Sequence, residues 1–349
     1  MNITQASFII EAAIKGQIKA RSKGDYRDPE CLCPYAVGPA GIGKTTAYTD
    51  LVKRNDGWAM FTCSLAQYDS VEFMGIFAKE GDSIVRLKPV WLQAVEELAA
   101  TNEVVVLLFD ELPQSGMANL NVFRQLQNEH RAGEFKLPPN VAIVAAGNRV
   151  SDRAGATNLP SHVKDCLLYL PVSVNPDDVV GYLNSVGADP LVTAFCRYRP
   201  ELLNKVDRDA DSNASPRSMD RVSTILSWGL PEALEREAVS GQIGEGNAAE
   251  FYGFKPVYEA GANDIDSILS NPDSAKVHEE PSICYAVCSA LAHRANEKNI
   301  GNIIKYLMRL PHKEFSVFTV KDAFNRNPAI KGTDAFRAFL LSHGKELML

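Results

Sequence analysis

The sequence predicts an α/β protein in which helices cover a five-stranded parallel sheet and a helical region follows. First, apolar runs without polar alternation are separated by amphipathic segments, which is typical of parallel strands buried on both faces. Second, a glycine-rich motif directly follows the first apolar run and precedes a helical segment. Third, the apolar runs stop near residue 175, and helical periodicity prevails from there on.

Five apolar runs are the predicted strands of the sheet. They are Leu32–Val37, Trp58–Cys63, Val104–Phe109, Val141–Ala146 and Leu167–Val172. A helix is expected over residues 3–20, and another over Thr45–Lys53. Ile76–Leu87 and Arg131–Asn140 carry turn residues between apolar ones, and are predicted to be hairpins inserted outside the sheet.

The region after residue 175 is predicted to be helical. Its helices are expected at Asp177–Ser185, Pro190–Phe195, Pro216–Trp228, Pro231–Gly241 and about 281–295, 299–309 and 333–346. The glycine-rich stretch Gly241–Gly261 gives no clear pattern.

Composition limits the classes of protein that the chain can represent. The 349 residues suffice for about two domains, and 46% hydrophobic and 23% charged residues are globular values that exclude a disordered or fibrous chain. A net charge of −7 offers no general attraction to nucleic acid, and no apolar run approaches the ~20 residues that span a bilayer. The first residues lack the features of a signal peptide, and seven scattered cysteines suit a reducing compartment. A cytoplasmic location without membrane contact is therefore expected.

The glycine-rich motif has the pattern of a phosphate-binding loop. It comprises Gly38, Pro39, Ala40, Gly41, Ile42, Gly43, Lys44, Thr45 and Thr46. Glycines let backbone N–H groups close around phosphate oxygens, and the following helix directs its positive end at the same anion. In such a loop Lys44 would neutralise charge between the β- and γ-phosphates, and the Thr45 hydroxyl would bind Mg²⁺.

Polar residues at the ends of two other predicted strands complete the candidate site. Asp110 and Glu111 follow six apolar residues, so Asp110 is expected to hold Mg²⁺ through water and Glu111 to activate an attacking water. Asn148 follows the fourth strand, where its amide could hold that water near the γ-phosphate. A simple turn at Gly147-Asn148 is the alternative, and it is the commoner origin of such a pair.

The base of the nucleotide is predicted to be adenine. Asn204-Lys205-Val206-Asp207 has the N-K-x-D pattern that many GTPases use for guanine, but it follows a proline-opened helix, Arg199–Leu203, and not a buried strand. ATP with Mg²⁺ is therefore the expected ligand.

These residues resemble the AAA+ ATPases, and within them the MoxR-like branch. The resemblance covers roughly residues 1–230 and depends on the phosphate loop GPAGIGKTT, the strand and acidic pair VVVLLFDEL, the segment from Asn121 to Arg149, and Arg199–Leu203 followed by Ser215–Ser218. It implies a core over residues 1–175 with sheet order 5-1-4-3-2, a helical lid over 176–270 and a C-terminal helical region over 271–349.

The resemblance also assigns roles to single residues. Asn148 would be the polar sensor near the γ-phosphate, and Arg217 the lid arginine that reaches the phosphates; a surface arginine at a helix start is the alternative for Arg217. Relatives carry an arginine just before the fifth strand that reaches the neighbouring subunit's ATP, whereas Cys166 stands there in this chain. Of the cations nearby, Arg153 is the favoured substitute, with a solvated loop arginine as the alternative.

Three functions remain open from the sequence. The first is an ATPase that remodels a partner protein as a chaperone, in a homo-oligomer that the resemblance implies to be a hexameric ring; family partners often contain a von Willebrand A-type domain. The second is a nucleic-acid-linked motor, which is not favoured because Arg197, Arg199, Arg208 and Arg217 are interleaved with acids. The third is an ATP-dependent interaction module with weak hydrolysis, which the cysteine at position 166 keeps open.

Overall fold

The chain divides into two compact units. A computed structural model describes residues 1–24, 28–150, 157–204 and 212–347. One unit spans Met1–Ser173 and the other Val174–Leu349. Each has its own buried core.

The first unit is built on a five-stranded parallel sheet. Its strands are β1 (Cys33–Val37), β2 (Trp58–Ser64), β5 (Val104–Asp110), β8 (Val141–Gly147) and β9 (Leu167–Pro171). The order across the sheet is β2-β5-β8-β1-β9. If the five strands are numbered 1 to 5 along the chain, without the four hairpin strands, the same order reads 5-1-4-3-2 from the opposite edge. This is the order that the resemblance implied. The sequence predicted all five strands, with ends one residue or less from those observed.

Two antiparallel hairpins lie outside this sheet, as the sequence predicted. Their strands are β3 (Phe77–Glu80) with β4 (Ser83–Arg86), and β6 (Arg131–Ala132) with β7 (Phe135–Lys136). Gly81 and Gly133 turn the two hairpins with positive φ angles of 60° and 59°.

Helices cover the sheet of the first unit. They are α1 (Ile3–Ser22), α2 (Lys44–Arg54), α3 (Ser70–Met74), α4 (Val90–Thr101), α5 (Met117–Glu129) and α6 (Ser161–Lys164). The strands β5 and β8 are almost completely buried, as their uninterrupted apolar sequence requires.

A buried glutamine anchors α1 to the sheet. The register between β1 and β8 begins at Tyr35 and Ala145. Below that point, Gln17 Nε2 donates to the carbonyl oxygens of Leu32 and Ile143, both at 2.7 Å, and the Ile143 N–H donates to Gln17 Oε1 at 2.9 Å. The Gln17 amide therefore provides hydrogen-bond partners for backbone N–H and C=O groups that lie before the paired part of β1 and β8.

The second unit is helical. Its helices are α7 (Pro176–Ser185), α8 (Pro190–Tyr198), α9 (Pro216–Ser227), α10 (Glu232–Ile243), α11 (Glu245–Ala262), α12 (Ile265–Ser270), α13 (Pro281–Arg294), α14 (Ile300–Leu307), α15 (Lys313–Arg326) and α16 (Asp334–Leu347). One apolar cluster lies mainly within residues 179–254 and a second within 265–339.

The structure corrects the sequence-based expectations at several helices. The stretch Gly241–Gly261 is mostly the helix α11, because Phe251, Tyr252 and Phe254 bury against neighbouring helices and outweigh the glycines. Pro200–Asn204 forms a 3₁₀ helix and not an α-helix. The helices α3, α4, α6, α12 and α15 were not predicted at all.

Candidate functional site

The glycine-rich loop at the end of β1 has a backbone that only glycine adopts easily. Gly41 and Gly43 have φ angles of 76° and 90°, in the left-handed region. A Cβ on Gly38 would lie 2.5 Å from the Val172 carbonyl oxygen and 2.7 Å from Ile42 Cδ1. The three glycines are therefore required by the shape of the loop.

The helix α2 begins at Lys44 immediately after this loop. Its N-cap, Gly43, has no side chain to accept hydrogen bonds from the first turn. An 11-residue helix that begins without a capping side chain presents N–H groups and its positive end, which together favour an anion.

The Lys44 side chain is buried and held by oxygen atoms. It is 8% exposed. Its Nζ donates to the carbonyl oxygens of Gly38 at 2.8 Å and Pro39 at 2.7 Å, and to Asn148 Oδ1 at 2.9 Å. The ammonium group thus lies between the loop and the end of β8, and the structure brings Lys44 and Asn148 together.

Thr45 joins the loop to the acidic end of β5. Its Oγ1 donates to Asp110 Oδ2 at 2.7 Å, across 65 residues of chain. The other carboxylate oxygen, Asp110 Oδ1, accepts from the Glu111 N–H at 2.9 Å. Both oxygens are thereby oriented, and a hydrogen bond to an ionised group contributes about 1.5–3 kcal/mol.

Glu111 has an unusual backbone conformation. Its φ and ψ angles are 54° and 33°, and in the described part of the chain His130 is the only other non-glycine residue with positive φ. The side chain is exposed, and among the described residues no partner accepts from or donates to its carboxylate. A non-glycine residue in this region costs about 1–2 kcal/mol and often marks a functional position.

Close packing fixes the end of β8 that carries Asn148. A Cβ on Gly147 would lie 2.4 Å from Pro113 Cδ and 2.8 Å from the Tyr35 hydroxyl. The Gly38 N–H also donates to the Gly147 carbonyl oxygen at 3.3 Å. The phosphate loop, the turn after β5 and Asn148 are therefore parts of one packed arrangement.

The residues present fit a triphosphate with Mg²⁺. The threonine hydroxyl and the oriented carboxylate are hard oxygen donors of the kind that Mg²⁺ prefers. The uncapped helix start and the lysine supply positive charge beside them. No observation within the described residues identifies the base of a nucleotide.

Of the two candidate arginines, one belongs to the second unit and the other lies outside the described residues. Arg217 is the second residue of α9, where Ser215 caps the helix and Pro216 opens it, so that the arginine is exposed. It belongs to the second unit. Arg153 lies outside the described residues, as do Lys205 to Asp207 of the N-K-x-D pattern.

Cys166, which stands where the resemblance expects an arginine, is half-buried between α6 and β9. Its thiol donates to Asn128 Oδ1 at 3.3 Å and to the His162 carbonyl oxygen at 3.5 Å. Burial raises the pKa of this thiol, although the nearby Arg124 partly opposes the effect. The cysteine is therefore a neutral side chain in ordinary local contacts.

Two of the arginines considered for nucleic acid are engaged within the second unit. Arg197 is buried and pairs with Asp177 and with Asp322, the latter at 2.8 Å. Arg199 pairs with Glu201 and Glu250. Arg208 lies outside the described residues.

Sequence reasoning missed two features of this region. The left-handed backbone of Glu111 has no sequence signal, because glutamate rarely adopts it. The structure also opens a cavity of about 500 Å³ beside Asn148, which Arg149 and Lys164 line. The only sequence signal for it was that both cations lie close to predicted strand ends.

Comparison with known proteins adds no family to these observations. No protein-family model matches the chain, and no curated protein matches it in sequence. Within the described residues, no helix is both long and apolar enough to cross a bilayer.

Proposed function

We propose that this protein binds ATP with Mg²⁺ at the loop Gly38–Thr46 and hydrolyses it. The observation that carries the proposal is the 2.7 Å hydrogen bond between Thr45 and Asp110. It joins a phosphate-loop hydroxyl to an oriented carboxylate, and these two groups together are what a metal–phosphate ligand requires.

The residues of the site divide the chemistry among them. Lys44 and the N–H groups at the start of α2 would bind the phosphates. Mg²⁺ at Thr45 and Asp110 would neutralise charge on the β- and γ-phosphates. Glu111, with a carboxylate that no described residue engages, would accept a proton from the attacking water, and Asn148 would orient that water.

We further infer that the protein is an AAA+ ATPase of MoxR-like type that remodels a partner protein in the cytoplasm. The core strand order, the hairpins inserted outside the sheet and the separate helical unit all agree with that architecture. Arg217 would then act from the helical unit, and Arg153 from one copy toward the ATP of the next. The client, a von Willebrand A-type protein or another, and the hexameric ring are parts of this proposal that depend on the resemblance alone.

A second candidate, an ATP-dependent interaction module with weak hydrolysis, is favoured by one observation. Cys166 is a neutral, half-buried thiol where the resemblance expects a cation. Without a trans-acting arginine, turnover per site stays constant as the protein concentration rises; an assembly-dependent ATPase shows an increase.

Variants of the lysine and the glutamate test the proposed hydrolysis. Lys44→Ala should abolish ATP binding, and Glu111→Gln should keep binding but lower turnover by about 10²–10⁴-fold. Lys53→Ala is the matched control, because Lys53 is an exposed lysine of the same helix. Normal ATP affinity in Lys44→Ala would refute the site, and hydrolysis stimulated by DNA, with strong salt dependence, would favour the nucleic-acid motor.

A further inference from the structure

The cavity beside Asn148 has the size and lining of a small-molecule site. Its volume is about 500 Å³, within the usual range for such sites, and the described residues that line it all belong to the first unit. It lies beside the carboxyl ends of β1 and β8, where α/β sheets commonly bind ligands, and extends along the first half of β9 at Leu167 and Tyr169.

The charge of this lining favours an anion. Lys164 and Arg149 both line the cavity, and none of the described residues around it is acidic. Within the described part of the chain, Lys164 takes part in no ion pair. A negative group placed here would therefore lie beside the ammonium group of Lys164, which no described carboxylate engages.

The cavity also has an aromatic and apolar wall. Tyr35 and Tyr169 lie edge to face, with ring centroids 5.6 Å apart, and Val37 and Leu167 line the same space. This wall suits the flat apolar body of a ligand, while Lys164 suits its charged end.

Asn148 connects the cavity to the proposed ATP site. Its Oδ1 accepts from Lys44 Nζ at 2.9 Å, and the same residue lines the cavity. A ligand that engages the Asn148 amide therefore changes the surroundings of Lys44.

We propose that this cavity binds a small anion with a flat apolar body, such as an aromatic carboxylate or sulfonate, and that its occupancy alters ATP affinity through Asn148. The second clause depends on the proposed ATP site, whereas the first does not. Because binding free energies are reciprocal, ATP changes the affinity for the anion by the same factor.

Two fluorescent probes with the same ring system test the binding site in the full chain. They are 8-anilinonaphthalene-1-sulfonate, which is charged, and N-phenyl-1-naphthylamine, which is neutral. The sulfonate should bind at least about tenfold more tightly, because an ion pair and charged hydrogen bonds are available only to it. Lys164→Gln should remove this preference, and Asn158→Trp, at an exposed lining position, should block both probes.

The controls separate this proposal from the ATP site. Lys136→Gln, an exposed lysine in β7, should leave both dissociation constants unchanged. Lys44→Ala should lose ATP binding and retain the sulfonate. A preference for the sulfonate that is missing in the wild type, or that survives Lys164→Gln, overturns the anion site.

A competition experiment tests the coupling. Saturating sulfonate should shift the dissociation constant of ATP by more than about twofold in the wild type and not in Asn158→Trp. An unchanged constant in the wild type overturns the coupling. If the wild type binds no ATP, the proposed function fails, while the probe titrations still decide the anion site.

Discussion

Replacing Glu111 with glycine tests whether the chain holds this residue in a costly conformation for the sake of function. Its φ of 54° and ψ of 33° place a glutamate in the left-handed region, at a cost of about 1–2 kcal/mol. Glycine removes that cost but loses about 0.5–1 kcal/mol more conformational entropy on folding. Because the Glu111 carboxylate has no partner among the described residues, no contact is lost, and we expect a net stabilisation of about 0.5–1 kcal/mol.

Urea denaturation followed by tryptophan fluorescence measures this change. Trp58 and Trp91 report the first unit, so the series is made in a Trp228→Phe background to remove the signal of the second unit. Glu111→Gln keeps the strain and should leave the midpoint unchanged. Glu111→Val should lower the free energy of unfolding by at least about 1 kcal/mol, since a β-branched residue fits this region worst.

The same variants connect stability with turnover. Glu111→Gly and Glu111→Gln should both bind ATP and lose hydrolysis, so that glycine gives a more stable and less active protein. If Glu111→Gly is less stable than the wild type, the strain argument is wrong. If its turnover is unchanged, Glu111 is not the base.

Three further changes test other parts of the structure. Gln17→Leu removes three buried hydrogen bonds between α1 and the sheet and should lower the free energy of unfolding by about 3 kcal/mol. The control Lys15→Leu, at an exposed position of the same helix, should lower it by about 0.5 kcal/mol or less. Equal effects of the two substitutions would contradict the role of Gln17. Burial and the nearby Arg21 lower the pKa of His130 to about 3, so its stabilising effect is present above pH ~6.5 and is lost as the pH falls toward 3. Between pH 7.5 and 5.0 the free energy of unfolding of the wild type should therefore fall by about 2 kcal/mol more than that of His130→Asn, and His162→Asn serves as the control. Equal losses in the wild type and in His130→Asn would show that His130 titrates normally. Cys166→Arg should make turnover per site rise with protein concentration, whereas Cys166→Ser should not, and a flat profile for both would remove position 166 from the intersubunit role.

Strands and phosphate loop were predictable because their signals are local. The runs Val104–Phe109 and Val141–Ala146 are uninterrupted and apolar, each begins after a polar residue, and they end at Asp110 and Gly147, so their ends are marked in the sequence. The loop motif requires a strand before it and a helix after it, and both were visible.

Other features depend on tertiary contacts and could not be predicted. The helix α11 contains Pro256 and three glycines besides its N-cap, and exists because its aromatic face is buried. The contact between Lys44 and Asn148 depends on the relative height of β1 and β8, which their register sets and the motif does not. The sheet order came only from the resemblance, since apolar runs do not reveal which strands are neighbours.

A crystal structure with Mg²⁺ and a non-hydrolysable ATP analogue tests the central proposal most directly. We expect the triphosphate to lie within the loop Gly38–Thr46, with the metal about 2.0–2.1 Å from Thr45 Oγ1 and Asp110 beside it, in contact directly or through a bound water. An analogue bound elsewhere on the chain, or a metal with neither Thr45 nor Asp110 in its surroundings, would contradict the account.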